Sequence, residues 1–109
     1  MKAQKKIGAV IKRLQQKAHP VRIILFGSRA KNKGGKNSDF DLLVIEKKVP
    51  DRRRESVRLM DALRPLGINA DLVVVSEKFF KEWAETPGNL IYEAAKQGKV
   101  LYEMEGARG

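Results

Sequence analysis

Apolar residues recur along this chain at two different periods. Between residues 3 and 18, Ile7, Val10, Ile11 and Leu14 fall at the i, i+3, i+4, i+7 spacing with lysines around them, which predicts a helix with one apolar face. His19-Pro20 ends it, since proline supplies no amide to carry the helix on. The next run, Val21 to Gly27 ("VRIILFG"), is apolar at consecutive positions and rich in β-branched residues, as a central strand covered on both faces would be. "FDLLVIE", Phe40 to Glu46, predicts a second strand. The segment between the two is too short for a helical crossover, so they are expected to pair antiparallel.

Beyond this, Asp51 is placed to cap a helix over Arg52 to Arg64, with Val57, Met60 and Leu63 on its inner face and Pro65 to Gly67 ending it. "NADLVVV", 69–75, reads as a third strand. Ser76 caps a short helix through Glu85 with Phe79, Phe80 and Trp83 inward. Thr86-Pro87-Gly88 breaks the chain, and Asn89 to Gln97 forms a last helix that Gly98 terminates. "KVLYE" is a candidate terminal strand. The pattern predicts an α/β (α+β) domain: one small mixed β-sheet flanked by helices, over residues 1–105, with 106–109 a disordered tail.

Composition narrows the chemistry. The chain has 109 residues, enough for one core and no second substrate domain. It contains no cysteine, which excludes disulfides, thiolate metal sites and cysteine nucleophiles. No apolar run approaches the roughly 20 residues of a membrane span, and the Lys-rich start lacks a signal-peptide core. A soluble, cytoplasmic protein is expected. The net charge of +10 is unevenly distributed: residues 1–38 hold eleven lysines and arginines and no acid. Such asymmetry marks either an anionic partner or a solvated helix face.

The first acid is Asp39, and Asp41 follows two residues later. Alternation along a strand points both to one side of the sheet, with Phe40 and Leu42 in the opposite layer. Two carboxylates so placed repel, and are neutralised by a cation or by basic side chains. Asp71 opens the third strand, and "DLVVV" nearly copies "DLLVI"; if the two strands are neighbours in similar register, the three acids converge. Three carboxylates around two hard divalent ions roughly 4 Å apart suit phosphoryl or nucleotidyl transfer. Gly27-Ser28, at the end of the first strand, lets phosphate approach the backbone, and Arg29, Lys31, Lys33 and Lys36 add to the positive field.

The stretch "GSRAKNKGGKNSDFD" has Gly-Ser, ten residues and Asp-x-Asp. It resembles the signature of the polymerase-β-like nucleotidyltransferase superfamily, with its palm-like fold. Within it the chain is similar to the minimal nucleotidyltransferases, or MntA-type antitoxins, over nearly its whole length, from the leading helix through "ADLVVV" to "IYEAAKQGKVLYE". Asn32 stands where many relatives have Gly; Asn also tolerates left-handed geometry.

The resemblance implies that Asp39 and Asp41 bind Mg2+ and that Asp71 completes a two-ion site and helps deprotonate the acceptor. Gly27 and Ser28 would hold the β- and γ-phosphates of ATP, with Arg29, Lys36 and Ser38 as further nucleotide contacts. It also implies transfer of AMP, with release of pyrophosphate, to a tyrosine of a cognate HEPN ribonuclease toxin, as the antitoxin of a type VII toxin-antitoxin system.

Two rival readings stand beside this one. An oligomer sharing its active site can modify a small hydroxyl compound such as an antibiotic or sugar. Alternatively, the basic first 38 residues bind a toxin or nucleic acid without catalysis, although they lack the interleaved aromatics that stack single-stranded bases. Arg52, Arg53 and Arg54 sit oddly at a helix N-terminus, where cations oppose the dipole. His19 is read as structural.

Overall fold

A computed structural model describes residues 3–27, 40–68 and 70–105. In chain order its elements are α1 (Ala3–Lys17), β1 (Pro20–Phe26), β2 (Phe40–Glu46), α2 (Arg52–Leu63), a 3-10 turn (Arg64–Leu66), β3 (Ala70–Ser76), α3 (Glu77–Trp83), α4 (Leu90–Gln97) and β4 (Lys99–Glu103). The strands form one sheet in the order β3-β2-β1-β4. β1 runs antiparallel to both β2 and β4, and β3 lies parallel to β2. The parallel pair is joined through α2, as a crossover requires. This is the small mixed sheet that the periodicity predicts, including the antiparallel first pair.

Helices cover both faces, which explains why the central strands are apolar without alternation. On one face Val10 and Leu14 of α1 and Leu59 and Leu63 of α2 pack with Ile23, Leu25, Phe40, Leu42, Val44, Leu72 and Val74. On the other, Phe80 of α3 and Ile91 and Ala94 of α4 pack with Ile24, Leu43, Ile45 and Val75. β2 therefore sends even-numbered side chains to the α1/α2 layer and odd-numbered ones to the α3/α4 layer.

Three helices start on side-chain caps: Asp51, Ser76 and Asn89 accept the backbone N–H of Arg54, Phe79 and Tyr92 at 3.0, 3.1 and 2.9 Å. Each satisfies one of the amides that a helix start leaves unpaired, worth about 1 kcal/mol. Pro65 lies inside the 3-10 turn, and Gly67, at φ 65°, ends it in the left-handed conformation.

Two inward faces differ from expectation. In α2 the buried residues are Leu59 and Leu63, while Val57 is 48% exposed. The i, i+4 pair sets the inner face, and Val57 lies two residues, or about 200°, away from Leu59. In α3 Phe80 is buried and Phe79 packs against the core, but Trp83 is 41% exposed. The helix ends at Trp83, so its indole lies at the rim, stacked at a tilt on Phe79 with ring centroids 6.1 Å apart.

β4 is held to β1 by an ion pair as well as by its ladder. Arg22 Nε donates to Glu103 Oε2 at 2.9 Å, and the same guanidinium lies 5.6 Å from the centroid of the Phe80 ring. Gly98 permits the tight return from α4 into β4. A Cβ there would collide with the Ala94 carbonyl and lie 2.5 Å from Ile24 Cγ2 and 2.9 Å from the Leu25 carbonyl oxygen. Among the described residues no helix is long and apolar enough to cross a membrane.

Candidate active site

Three strands bring the candidate residues together at one end of the sheet. β1 finishes at Phe26, whose Cα partner on β2 is Asp41, and Asp41 is in turn the Cα partner of Asp71 on β3. Because β1 is antiparallel to β2 and β3 parallel to it, the end of β1 and the beginnings of β2 and β3 share one edge. Asp41 and Asp71 are thus neighbours at one strand spacing, about 4.8 Å, and point to the α3/α4 face. Asp41 is half-buried and Asp71 exposed, so the pair is open to solvent.

Gly27 sits directly beside this pair. Its φ of +77° is left-handed, and a Cβ at this position would collide with Asp41 Oδ2 and lie 3.2 Å from Asp41 Cγ. The position needs glycine twice over: for its backbone angle, and for the room that the carboxylate occupies. Ser28, Arg29, Lys31, Lys33, Lys36, Ser38 and Asp39 lie outside the described residues. Among the described residues no group of three His, Cys, Asp or Glu side chains is placed to hold a metal. Asp41 and Asp71 nonetheless offer hard oxygen donors, and one or two carboxylates with substrate phosphate is the usual magnesium environment.

A cavity of about 240 Å³ opens next to Gly27, lined by Phe26, Gly27, Glu93, Gln97 and Gly98. Glu93 and Gln97 were not among the residues that the motif singles out. They reach the site only because α4 returns across the end of β1, and their spacing in sequence carries no sign of it.

A second acidic group lies at the far end of β2, away from this site. Arg58 grips Glu55 through two hydrogen bonds, Nε to Oε1 at 2.8 Å and Nη2 to Oε2 at 2.7 Å, and its Nη1 donates to the Lys17 carbonyl at 2.8 Å. The arginine thereby fastens α2 to the end of α1. The hydrogen bonds from Arg58 hold the Glu55 carboxyl below its ordinary range. Glu46 behaves oppositely: burial, then the hydrogen bond and charge of Glu55, push it up from 4.5 to about 7. As a carboxylate, Glu46 leaves Oε2 buried without a hydrogen-bond partner among the described residues; as an acid it can donate to Glu55.

The family model for polymerase β nucleotidyltransferases matches residues 8–106. The chain belongs to the polymerase β nucleotidyltransferase family. Membership accounts for a sheet that gathers a glycine turn and strand-borne carboxylates at one edge, and it identifies the chain as a nucleotidyltransferase. No curated protein matches it by sequence.

Solved structures share the fold of this nucleotidyltransferase. A mutant MntA–HpeT toxin-antitoxin complex contains a chain 20% identical with a TM-score of 0.62, covering 90% of this chain and 73% of that one. A toxin-antitoxin complex with AMP-PNP matches at 24% identity and a TM-score of 0.56, over 95% of this chain and 76% of the other. The third is a complex from Shewanella oneidensis of a tri-AMPylated HEPN toxin with an MNT antitoxin. It matches at 21% identity and a TM-score of 0.53, over 93% and 72% of the two chains.

Proposed function

We propose that this nucleotidyltransferase moves AMP from ATP to a tyrosine hydroxyl of a cognate HEPN ribonuclease toxin, and silences it as the antitoxin of a toxin-antitoxin pair. The observation that carries the reading is the register of Asp41 with Asp71 beside the bare Cα of Gly27. The similar folds support the choice of partner, since one belongs to an MNT antitoxin in complex with an AMPylated HEPN toxin and another is in a complex with AMP-PNP.

In this reading the transferase unit is residues 1–105 and the setting is the cytoplasm, where ATP is available. Asp39, Asp41 and Asp71 would hold two magnesium ions, which supply Lewis-acid stabilisation of the phosphate charge when bound. Gly27 and Ser28 seat the β- and γ-phosphates, Arg29 and Lys36 balance their charge, and Ser38 is a further nucleotide contact. Asp71, the more exposed carboxylate, takes the proton of the attacking hydroxyl. The hydroxyl oxygen bonds to the α-phosphorus, the bond from that phosphorus to the β-phosphate oxygen breaks, and pyrophosphate leaves.

The test is to incubate the protein with ATP, magnesium and the HEPN-type protein encoded beside it, and to weigh the latter intact. A gain of one or more AMP units is expected. An unchanged mass would overturn the acceptor.

A further inference from the structure

The outer edge of β3 carries a groove that the transfer chemistry leaves unused. β3 pairs with β2 on one side and, among the described residues, with no strand on the other. Alternate residues of an edge strand turn their N–H and C=O groups outward, where another strand can pair with them. Along this edge runs a cavity of about 540 Å³, lined by Leu72, Val73 and Val74 on one side and Asp51, Arg52 and Arg53 on the other.

Its charge is uncompensated. Arg52, Arg53 and Arg54 are exposed, and no carboxylate pairs with them among the described residues. Asp51 is engaged in capping the Arg54 amide. Three cations in the first turn of a helix oppose its dipole and weaken it, a cost that an anionic partner would offset. Arg52 is also pre-positioned, its guanidinium 4.3 Å from the centroid of the Phe79 ring.

We infer that the β3 edge, with Arg52 and Arg53 beside it, docks an extended acidic segment of a protein partner, which adds to the sheet as a further strand. A peptide backbone matches the donor and acceptor spacing of a strand edge, whereas a nucleic-acid backbone does not. A second copy of this chain is disfavoured, because it would bring the same arginines and another net +10 to the contact. The groove begins at Leu72, one residue beyond Asp71, so the added strand runs up to the transfer site without involving its carboxylates. The docking does not depend on the transfer reading.

The test is fluorescence anisotropy of the full chain with a labelled synthetic peptide of alternating glutamate and valine. Binding is expected, and it weakens by about tenfold or more in Arg52→Glu/Arg53→Glu, or when alternate peptide amides are N-methylated. Asp41→Asn/Asp71→Asn binds as wild type, which separates docking from catalysis. Arg53→Glu alone, which leaves the Phe79 stack intact, weakens binding in the same direction. The inference is overturned if the peptide does not bind, if N-methylation or charge reversal has no effect, or if a lysine-valine peptide binds equally. Tighter binding of single-stranded RNA through the same arginines would also overturn it.

Discussion

Asp41 and Asp71 stand opposite each other across the parallel β2–β3 pair, one half-buried and the other exposed. The half-buried member is fixed against Gly27, while the exposed one faces arriving molecules. Asp71→Asn should therefore lower nucleotidyl transfer by about 10²-fold or more, the usual contribution of a positioned base. Its unfolding midpoint should change little, because an exposed strand residue has few contacts to lose. Pyrophosphate release alongside a urea melt measures both. Full activity in the folded variant would remove Asp71 from the chemistry.

Gly27→Ala combines a disfavoured backbone angle with a collision against Asp41. It should cost about 1–3 kcal/mol in stability and abolish transfer. Removing the obstructing carboxylate separates the two causes: Gly27→Ala/Asp41→Ala should regain part of the stability and none of the activity. A double-mutant cycle on urea midpoints reads the coupling directly.

Glu46 gives the fold a pH dependence of unusual sign. Its carboxyl keeps a proton to about pH 7 in the folded state and loses it near 4.5 when unfolded. Between those values the folded state binds the extra proton, so stability falls as the pH rises. Glu55, held down by Arg58, acts oppositely and loses its contribution as the pH drops through and below 4.5. Urea midpoints should peak at about pH 4.5 and fall on either side of it. Glu46→Gln should flatten the descending limb and stabilise the protein above pH 7; an unchanged limb would exclude Glu46 as its source.

The inner face of α2 can be tested with two truncations. Leu59→Ala, at a position with 0% exposure, should cost about 2–5 kcal/mol. Val57→Ala, at 48% exposure, should stay within about 0.5 kcal/mol of wild type. Equal costs would contradict the orientation of the helix.

The elements were legible in the sequence because each carries a local signal. Period 3.6 marks α1, unbroken apolar runs mark β1 and β2, and Asp51, Ser76 and Asn89 mark three helix starts at the positions where their side chains cap. The likeness of "DLLVI" to "DLVVV" implies the pairing of Asp41 with Asp71 only if the two strands are neighbours; the sheet order supplies that condition. Other features had no local signal. Met60 packs against the core as its spacing suggests, but Val57 suits the same apolar face by spacing, and only packing against α1 and β3 selects Leu59 instead. The approach of Glu93 and Gln97 to Gly27 is a contact between distant segments that no window of sequence contains, and that of Glu46 to Glu55 depends on how the chain turns from β2 into α2.

β1, the first strand in the chain, takes β4, the last described strand, as its outer neighbour, with Arg22 opposite Glu103. During translation the first strand must therefore wait with one flank bare until residue 103 has cleared the ribosome exit. The β1–β2 pair that brings Gly27 to Asp41 does not need β4, but the sheet is complete on its outer flank only then. A nascent chain stalled before Lys99 offers an open strand edge to any chaperone or neighbouring polypeptide within reach.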